Sequence, residues 1–192
     1  LRAVIEAEQP GPYLLCGLSM GAFAAQEYAF RFGGAAGYLL AGATPLFMPY
    51  PRWEKTLLAW SGAMMNCLYT WPALKRAMVG GSAETEPAQQ ELRRMFQQMN
   101  KREFLISWQG FTDCLHQEEF QFDAPLLALA GERDTRGTIL KHLPDWQRLY
   151  VDCAVKLIPG AGHVVNLDQP QAFNSLLLSF LADCEQRLSA PS

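Results

Sequence analysis

Ser19, Asp134 and His163 are the residues whose types and surroundings could do chemistry together. A serine hydroxyl is a poor nucleophile at neutral pH and needs an adjacent base to take its proton. A histidine can take that proton and return it to a leaving group, while a carboxylate fixes the imidazole tautomer and stabilises the imidazolium. Ser19 lies in Gly17-Leu18-Ser19-Met20-Gly21, a G-x-S-x-G pattern. Alone the pattern is ambiguous, because a strand ending in Gly-x-Ser can simply cap the next helix. Its context narrows the reading. Tyr13 to Cys16 form a short apolar run suited to a buried strand, with Cys16 read as core packing, and residues 22–32 read as a helix stopped by Gly33-Gly34. Strand, turn and helix in that order place the serine at the apex of a sharp, strained turn, with the flanking glycines allowing backbones to approach.

The elements around the other two residues follow the same rhythm. Residues 38–41 form a second apolar run, ending in Gly42-Ala43-Thr44-Pro45. A third, 125–130, leads into Gly131-Glu132-Arg133-Asp134, and a strand around 154–158 leads into Pro159-Gly160-Ala161-Gly162-His163. Helices are predicted over 138–148 and 170–188, the latter opening on Pro170. Short apolar runs alternating with helices indicate a parallel sheet. Ser19, Asp134 and His163 then each sit just beyond the carboxyl end of a strand, the edge where open α/β sheets gather reacting groups. Glu132 is a rival acid. His116, in a predicted helix, and His142, in the helix after Asp134, do not follow strands and read as solvated or packing residues. Arg136 reads as a surface partner of a neighbouring carboxylate.

Between the second and third runs the rhythm stops. Residues 46–122 carry helical stretches around 53–68, 72–78, 86–99 and 102–115, with four of the five tryptophans and six of the seven methionines. Apolar stripes at helical spacing are packing surfaces first. As a group, these side chains also suit the wall of an apolar pocket. The chain therefore divides into 1–45, a sheet segment with the serine turn; 46–122, a helical insertion; and 123–192, a sheet segment with the acid and histidine loops.

Composition bounds the alternatives. The 192 residues suffice for one core with an insertion, and at 49% hydrophobic and 18% charged the chain falls below the usual share of about 25% charged. Strands buried on both faces account for that. A net charge of -3 gives no basic footprint for nucleic acid, and no apolar run reaches the roughly 18 residues of a membrane span. The five cysteines (Cys16, Cys67, Cys114, Cys153, Cys184) are odd in number and contain no C-x-x-C pair, which argues against a disulfide framework or structural zinc and for reduced thiols in the cytoplasm. The stretch "PGAGHVV" loosely resembles a dinucleotide-binding G-x-G-x-x-G, but Val165 occupies the third glycine position and no helix opens directly behind it.

Taken together, "GLSMG", "LLALAGERD" and "IPGAGHVVNLDQP" resemble the α/β-hydrolase superfamily, specifically its capped serine hydrolases, across nearly the whole chain. The resemblance implies Ser19 as nucleophile, Asp134 as acid, His163 as base and the backbone N–H of Met20 as one oxyanion donor. It implies that 46–122 is a cap over a small-molecule acyl substrate, with neither metal nor organic cofactor. The family's eight-stranded sheet carries the elbow serine after its fifth strand, whereas only 18 residues precede Ser19 here. The expectation is accordingly strands 5 to 8 of that sheet, a C-terminal portion of a longer hydrolase whose second oxyanion donor lies upstream, and a first strand whose open edge invites self-association. A binding or regulatory protein that keeps the shell without turnover is the alternative.

Overall fold

Two of the apolar runs are hydrophobic almost throughout, and these become the middle of the sheet. A computed structural model of the chain describes residues 1–116 and 118–190, the side chains of residues 111–113 excepted. Residue 117, inside the expected helical insertion, and residues 191–192, at the end of the expected last segment, lie outside the described residues.

In chain order the elements are α1 (Arg2–Glu8), β1 (Leu14–Leu18), α2 (Met20–Arg31), β2 (Gly37–Ala41), α3 (Arg52–Leu68), α4 (Trp71–Gly80), α5 (Glu86–Gln97), α6 (Lys101–Asp113), β3 (Leu126–Gly131), α7 (Ile139–His142), α8 (Asp145–Leu149), β4 (Cys153–Ile158), α9 (Val165–Asp168) and α10 (Pro170–Ser189). The strands run parallel in the spatial order β1-β2-β3-β4, with Leu39 opposite Cys16 and Leu127, and Leu127 opposite Ala154. β2 and β3 are buried at every position, as parallel strands covered on both faces must be. On one face Leu15, Tyr38, Leu40 and Ala128 pack against Ala22, Ala25, Trp146 and Tyr150 of α2 and the α8 region. On the other, Leu39, Leu127 and Leu129 meet Phe173, Phe180 and Cys184 of α10. Each fully buried leucine contributes about 1.5–3 kcal/mol, which makes the central strands the rigid part of the scaffold.

Four expectations are corrected. Cys16 is exposed rather than core, because β1 is a sheet edge that buries Leu15 and Gly17 and turns Cys16 the other way. The single helix expected over 138–148 is two, α7 and α8, since Pro144 lacks an N–H and its ring clashes with the carbonyl four residues back. The helix expected over 102–115 ends at Asp113, so His116 lies outside it. Its ring stacks on Phe47 at 4.6 Å, and its Nε2 lies 2.6 Å from Glu27 Oε2, a packing and pairing role. Trp53 and Trp60 stand exposed on α3 rather than packed in a core, while Trp71, Phe96, Phe104 and Trp108 pack together.

The connection from β2 to β3 runs through α3 to α6. α3 packs on α6, where Trp108 Nε1 donates to Ser61 Oγ at 2.7 Å. The α4–α5 junction turns back onto the sheet edge through Val79, Ala83, Ala88 and Leu92, which cluster with Val164. Among the described residues no helix is long and apolar enough to cross a membrane.

Candidate functional site

The serine turn is built by the meeting of β1 and α2. Ser19 is the residue between them and holds φ 52° and ψ -119°, a backbone conformation that L-residues rarely adopt. Its N–H donates to Ala41 O at 2.8 Å, which anchors the apex to the end of β2. Gly17 is the glycine this turn requires: a Cβ there would stand 2.6 Å from Ala22 N. Gly21 is not of that kind, since a Cβ on it would meet nothing within 4 Å among the described residues, and this corrects the symmetrical reading of the two glycines. Met20 opens α2, so its N–H belongs to the first helical turn, where backbone donors lack intrahelical partners.

Asp134 and His163 come from the ends of β3 and β4. Asp134 is 4% exposed and His163 8%. His163 Nδ1 lies 2.9 Å from Asp134 Oδ2, and His163 Nε2 lies 2.7 Å from Ser19 Oγ. An ionised carboxylate only accepts, so Nδ1 carries the proton and Nε2 is left to accept from the serine hydroxyl. The second carboxylate oxygen of Asp134 accepts from the N–H of Arg136 at 2.9 Å, which fixes the acid's plane. The imidazole is confined from behind by Gly42, where a Cβ would stand 3.1 Å from His163 Cε1 and Nδ1. The three residues singled out in the sequence are thus brought into one hydrogen-bonded chain. Such a chain can move a proton from a hydroxyl to a ring nitrogen while the resulting cation stays paired.

The rivals fall elsewhere. Glu132 is exposed, and its Oε2 accepts from Gly160 N at 3.0 Å. His142 sits in α7 with its Nδ1 2.7 Å from Asp145 Oδ2. The N–H groups that a dinucleotide phosphate would need are already committed: Gly160 to Glu132, Ala161 to Ile158, Gly162 to Asp168 and Val164 to Ser82. Arg136 corrects its surface reading. Its guanidinium donates to Ala77 O, Met78 O and Ser82 Oγ at 2.6–3.0 Å, and burial lowers its pKa from the ordinary arginine value.

Sequence reasoning missed two polar side chains that hold this region. Gln26, fully buried on α2, donates to Thr44 O and accepts from Leu46 N, pinning the loop after β2. Asp168, 5% exposed, binds the loop that carries His163. With Glu27 next to it and Arg31 a turn later, Gln26 carries no distinguishing signal in the sequence. Among the described residues no cluster of histidine, cysteine and carboxylate side chains is arranged to hold a metal ion. Two surface depressions, one of about 480 Å³ between α3 and α6 and one of about 810 Å³ beside Phe47, Tyr50 and Phe120, lie apart from Ser19, Asp134 and His163.

Residues 1–176 match the alpha/beta hydrolase family. Among solved structures, a thermophilic esterase from Thermogutta terrifontis is similar at a TM-score of 0.77 and 18% identity, over 95% of this chain and 69% of that one. MenH from S. aureus is similar at 0.77 and 17%, over 95% and 73%. The epoxide hydrolase CorEH is similar at 0.67 and 16%, over 95% and 72%. At such identities the likeness speaks for the fold alone, and its members differ in chemistry. No curated protein sequence matches the chain significantly.

Proposed function

The chain belongs to the alpha/beta hydrolase family, and on that premise we propose that it cleaves a carboxylic ester or related acyl bond through an acyl-enzyme on Ser19. The observation that carries the proposal is the unbroken chain from Ser19 Oγ through His163 to the buried Asp134. Ser19 Oγ attacks the acyl carbonyl as its proton passes to His163 Nε2. The oxyanion is met by the N–H of Met20, and collapse expels the leaving alcohol with the proton from His163. Water then attacks the acyl-serine, giving its proton to His163. Release of the acid returns that proton to Ser19. Asp134 stays ionised throughout and holds Nδ1–H.

In this reading the helical segment 46–122 is the cap, its aromatic and methionine side chains favour an apolar acyl group, and the partner is a small molecule. No metal or organic cofactor is used. Cytoplasmic residence belongs to the same proposal and rests on the odd, scattered cysteines. The esterase from T. terrifontis lends support to esters as the substrate class. The test is a pre-steady-state burst with an activated aryl ester. A burst of about one leaving group per chain, absent from Ser19→Ala, is expected. Steady release without a burst that survives in Ser19→Ala would overturn the proposal.

A further inference from the structure

The loop bearing His163 is too short and too rich in glycine to hold an imidazole by itself, and its anchorage comes from outside it. Asp168, at the end of α9, folds back so that Oδ2 accepts from the N–H of Gly162 at 2.9 Å, the residue immediately before His163. The same carboxylate accepts from the α4–α5 junction. Thr85 donates to Oδ1 through its N–H at 2.9 Å and its hydroxyl at 3.1 Å, and the N–H of Glu84 lies 3.0 and 3.1 Å from the two oxygens. On the other side of His163, the N–H of Val164 donates to Ser82 O at 3.0 Å, and the Val164 side chain sits among Val79, Ala83, Ala88 and Leu92. Both neighbours of His163 in the chain are therefore tied to residues 82–85, Gly162 through the Asp168 carboxylate and Val164 directly. There is no slack in the tie: a Cβ on Gly162 would stand 3.1 Å from Asp168 Oδ2, 3.1 Å from Ser82 O and 3.2 Å from Glu84 Cγ.

The cost of Asp168 makes the arrangement informative. A buried carboxylate loses its hydration, and a cation is the usual compensation. Among the described residues Asp168 makes no ion pair within 4.0 Å; its compensation is backbone N–H groups, one hydroxyl and the N-terminal end of α5, whose N-cap is Thr85. All those donors lie either beside His163 or at the start of α5. Arg136 makes the matching tie on the acid: its N–H holds Asp134 while its guanidinium grips Ala77, Met78 and Ser82.

We propose that Asp168 is a positioning residue for His163, through which the α4–α5 junction sets the distance between the base and Ser19. The proposal rests on the catalytic reading of His163 given above. It couples the placement of the helical segment to the alignment of the reacting groups, so that a displacement of residues 82–85 is felt at the imidazole.

The test compares the chain with Asp168→Asn, which keeps the shape but turns a donor toward N–H groups. Thr85→Val removes the hydroxyl bond to Asp168 together with the 3.4 Å N-cap bond from Ala88 N–H, leaves the carboxylate in place, and serves as a milder variant should Asp168→Asn unfold. Asp123→Asn is the control, a carboxylate that ties Gly34 N and Tyr38 OH away from the site. Two quantities are read below the unfolding temperature: the rate of Ser19 modification by a fluorophosphonate, and the deshielded NMR signal of the His163 ring proton shared with Asp134. Asp168→Asn should slow modification by about 10²-fold and lose or broaden the ring signal, since misplacement by ~1 Å has that effect. Thr85→Val should fall between, and Asp123→Asn should lower Tm without changing either reading. An Asp168→Asn protein with wild-type rate and ring signal overturns the proposal, as does a full Thr85→Val response matched by Asp123→Asn. Should the wild-type chain resist the probe while Asp168→Asn still loses the ring signal, the hydrolytic reading falls and the positioning role stands.

Discussion

Gly131, at the end of β3, offers a measurable lever on the imidazole. Its Cα faces the histidine loop so closely that an added Cβ would lie 2.7 Å from Ala161 C, and closer still to the carbonyl oxygens of Ala161 and Gly162, where real Cβ atoms essentially never come within 3.0 Å. The obstructing atoms are backbone, so no side chain can rotate away. In Gly131→Ala the loop must retreat by about 1 Å, carrying His163, and a misplacement of that size costs on the order of 10²-fold in rate. The same retreat stretches the 2.7 Å contact between His163 Nε2 and Ser19 Oγ past the limit of a hydrogen bond. A 10²-fold loss corresponds to about 2.7 kcal/mol of activation free energy. Overpacking adds a stability cost of about 1–3 kcal/mol, a fall in Tm of roughly 2–12 °C for a chain of this size. The assay is the second-order rate of fluorophosphonate labelling, read with thermal unfolding of the same samples. A variant that labels within about threefold of wild type and melts at the same temperature would refute the argument that this contact gauges the loop.

Three further outcomes are expected. Burial favours the neutral form of the Glu27 carboxyl, but hydrogen bonds from His116 and Arg31 outweigh it and hold the pKa below the ordinary value. A depressed folded-state pKa stabilises above the unfolded value of about 4.3 and is lost as pH falls through the folded one, so Glu27→Gln should flatten the decline of Tm between about pH 5 and pH 3; equal declines would contradict this. Burial pushes the Cys153 thiol up to about 12, whereas Cys67 is exposed, so peptide mass spectrometry after iodoacetamide treatment near pH ~8 should find Cys67 alkylated well before Cys153, and the reverse order would refute the assignment. Among the described residues β1 pairs on one side only, so we expect concentration-dependent self-association that Cys16→Lys on that strand suppresses; sedimentation showing equal association in both proteins would argue against the β1 edge.

What the sequence made legible follows from how local each signal is. Apolar runs at residues 38–41 and 125–130 mark strands buried on both faces, and Ser19, Asp134 and His163 each follow a strand-like run, so the parallel sheet and the gathering of these three side chains at one edge of it are legible in the sequence. Boundaries that depend on a single proline are also local, but the apolar spacing on either side of Pro144 continues across it and hides the break between α7 and α8. Cys16 was harder, because strand pattern gives the alternation of faces but not which face its neighbours leave open. Asp168 and Arg136 were least accessible. Their partners lie more than fifty positions away, at Thr85 and at Ala77 and Met78, and nothing in "NLDQP" or "ERDTRG" announces a contact made only when the α4–α5 junction folds back.

Whether Ser19 is a nucleophile activated by His163 is decided by covalent labelling. The chain, Ser19→Ala and His163→Ala would each be exposed to a fluorophosphonate and weighed intact, with the adduct mapped by peptide mass spectrometry. The expected result is one adduct per chain, on Ser19, absent from Ser19→Ala and lost or greatly slowed in His163→Ala. A folded chain that gains no adduct, or one labelled equally well without His163, would contradict it.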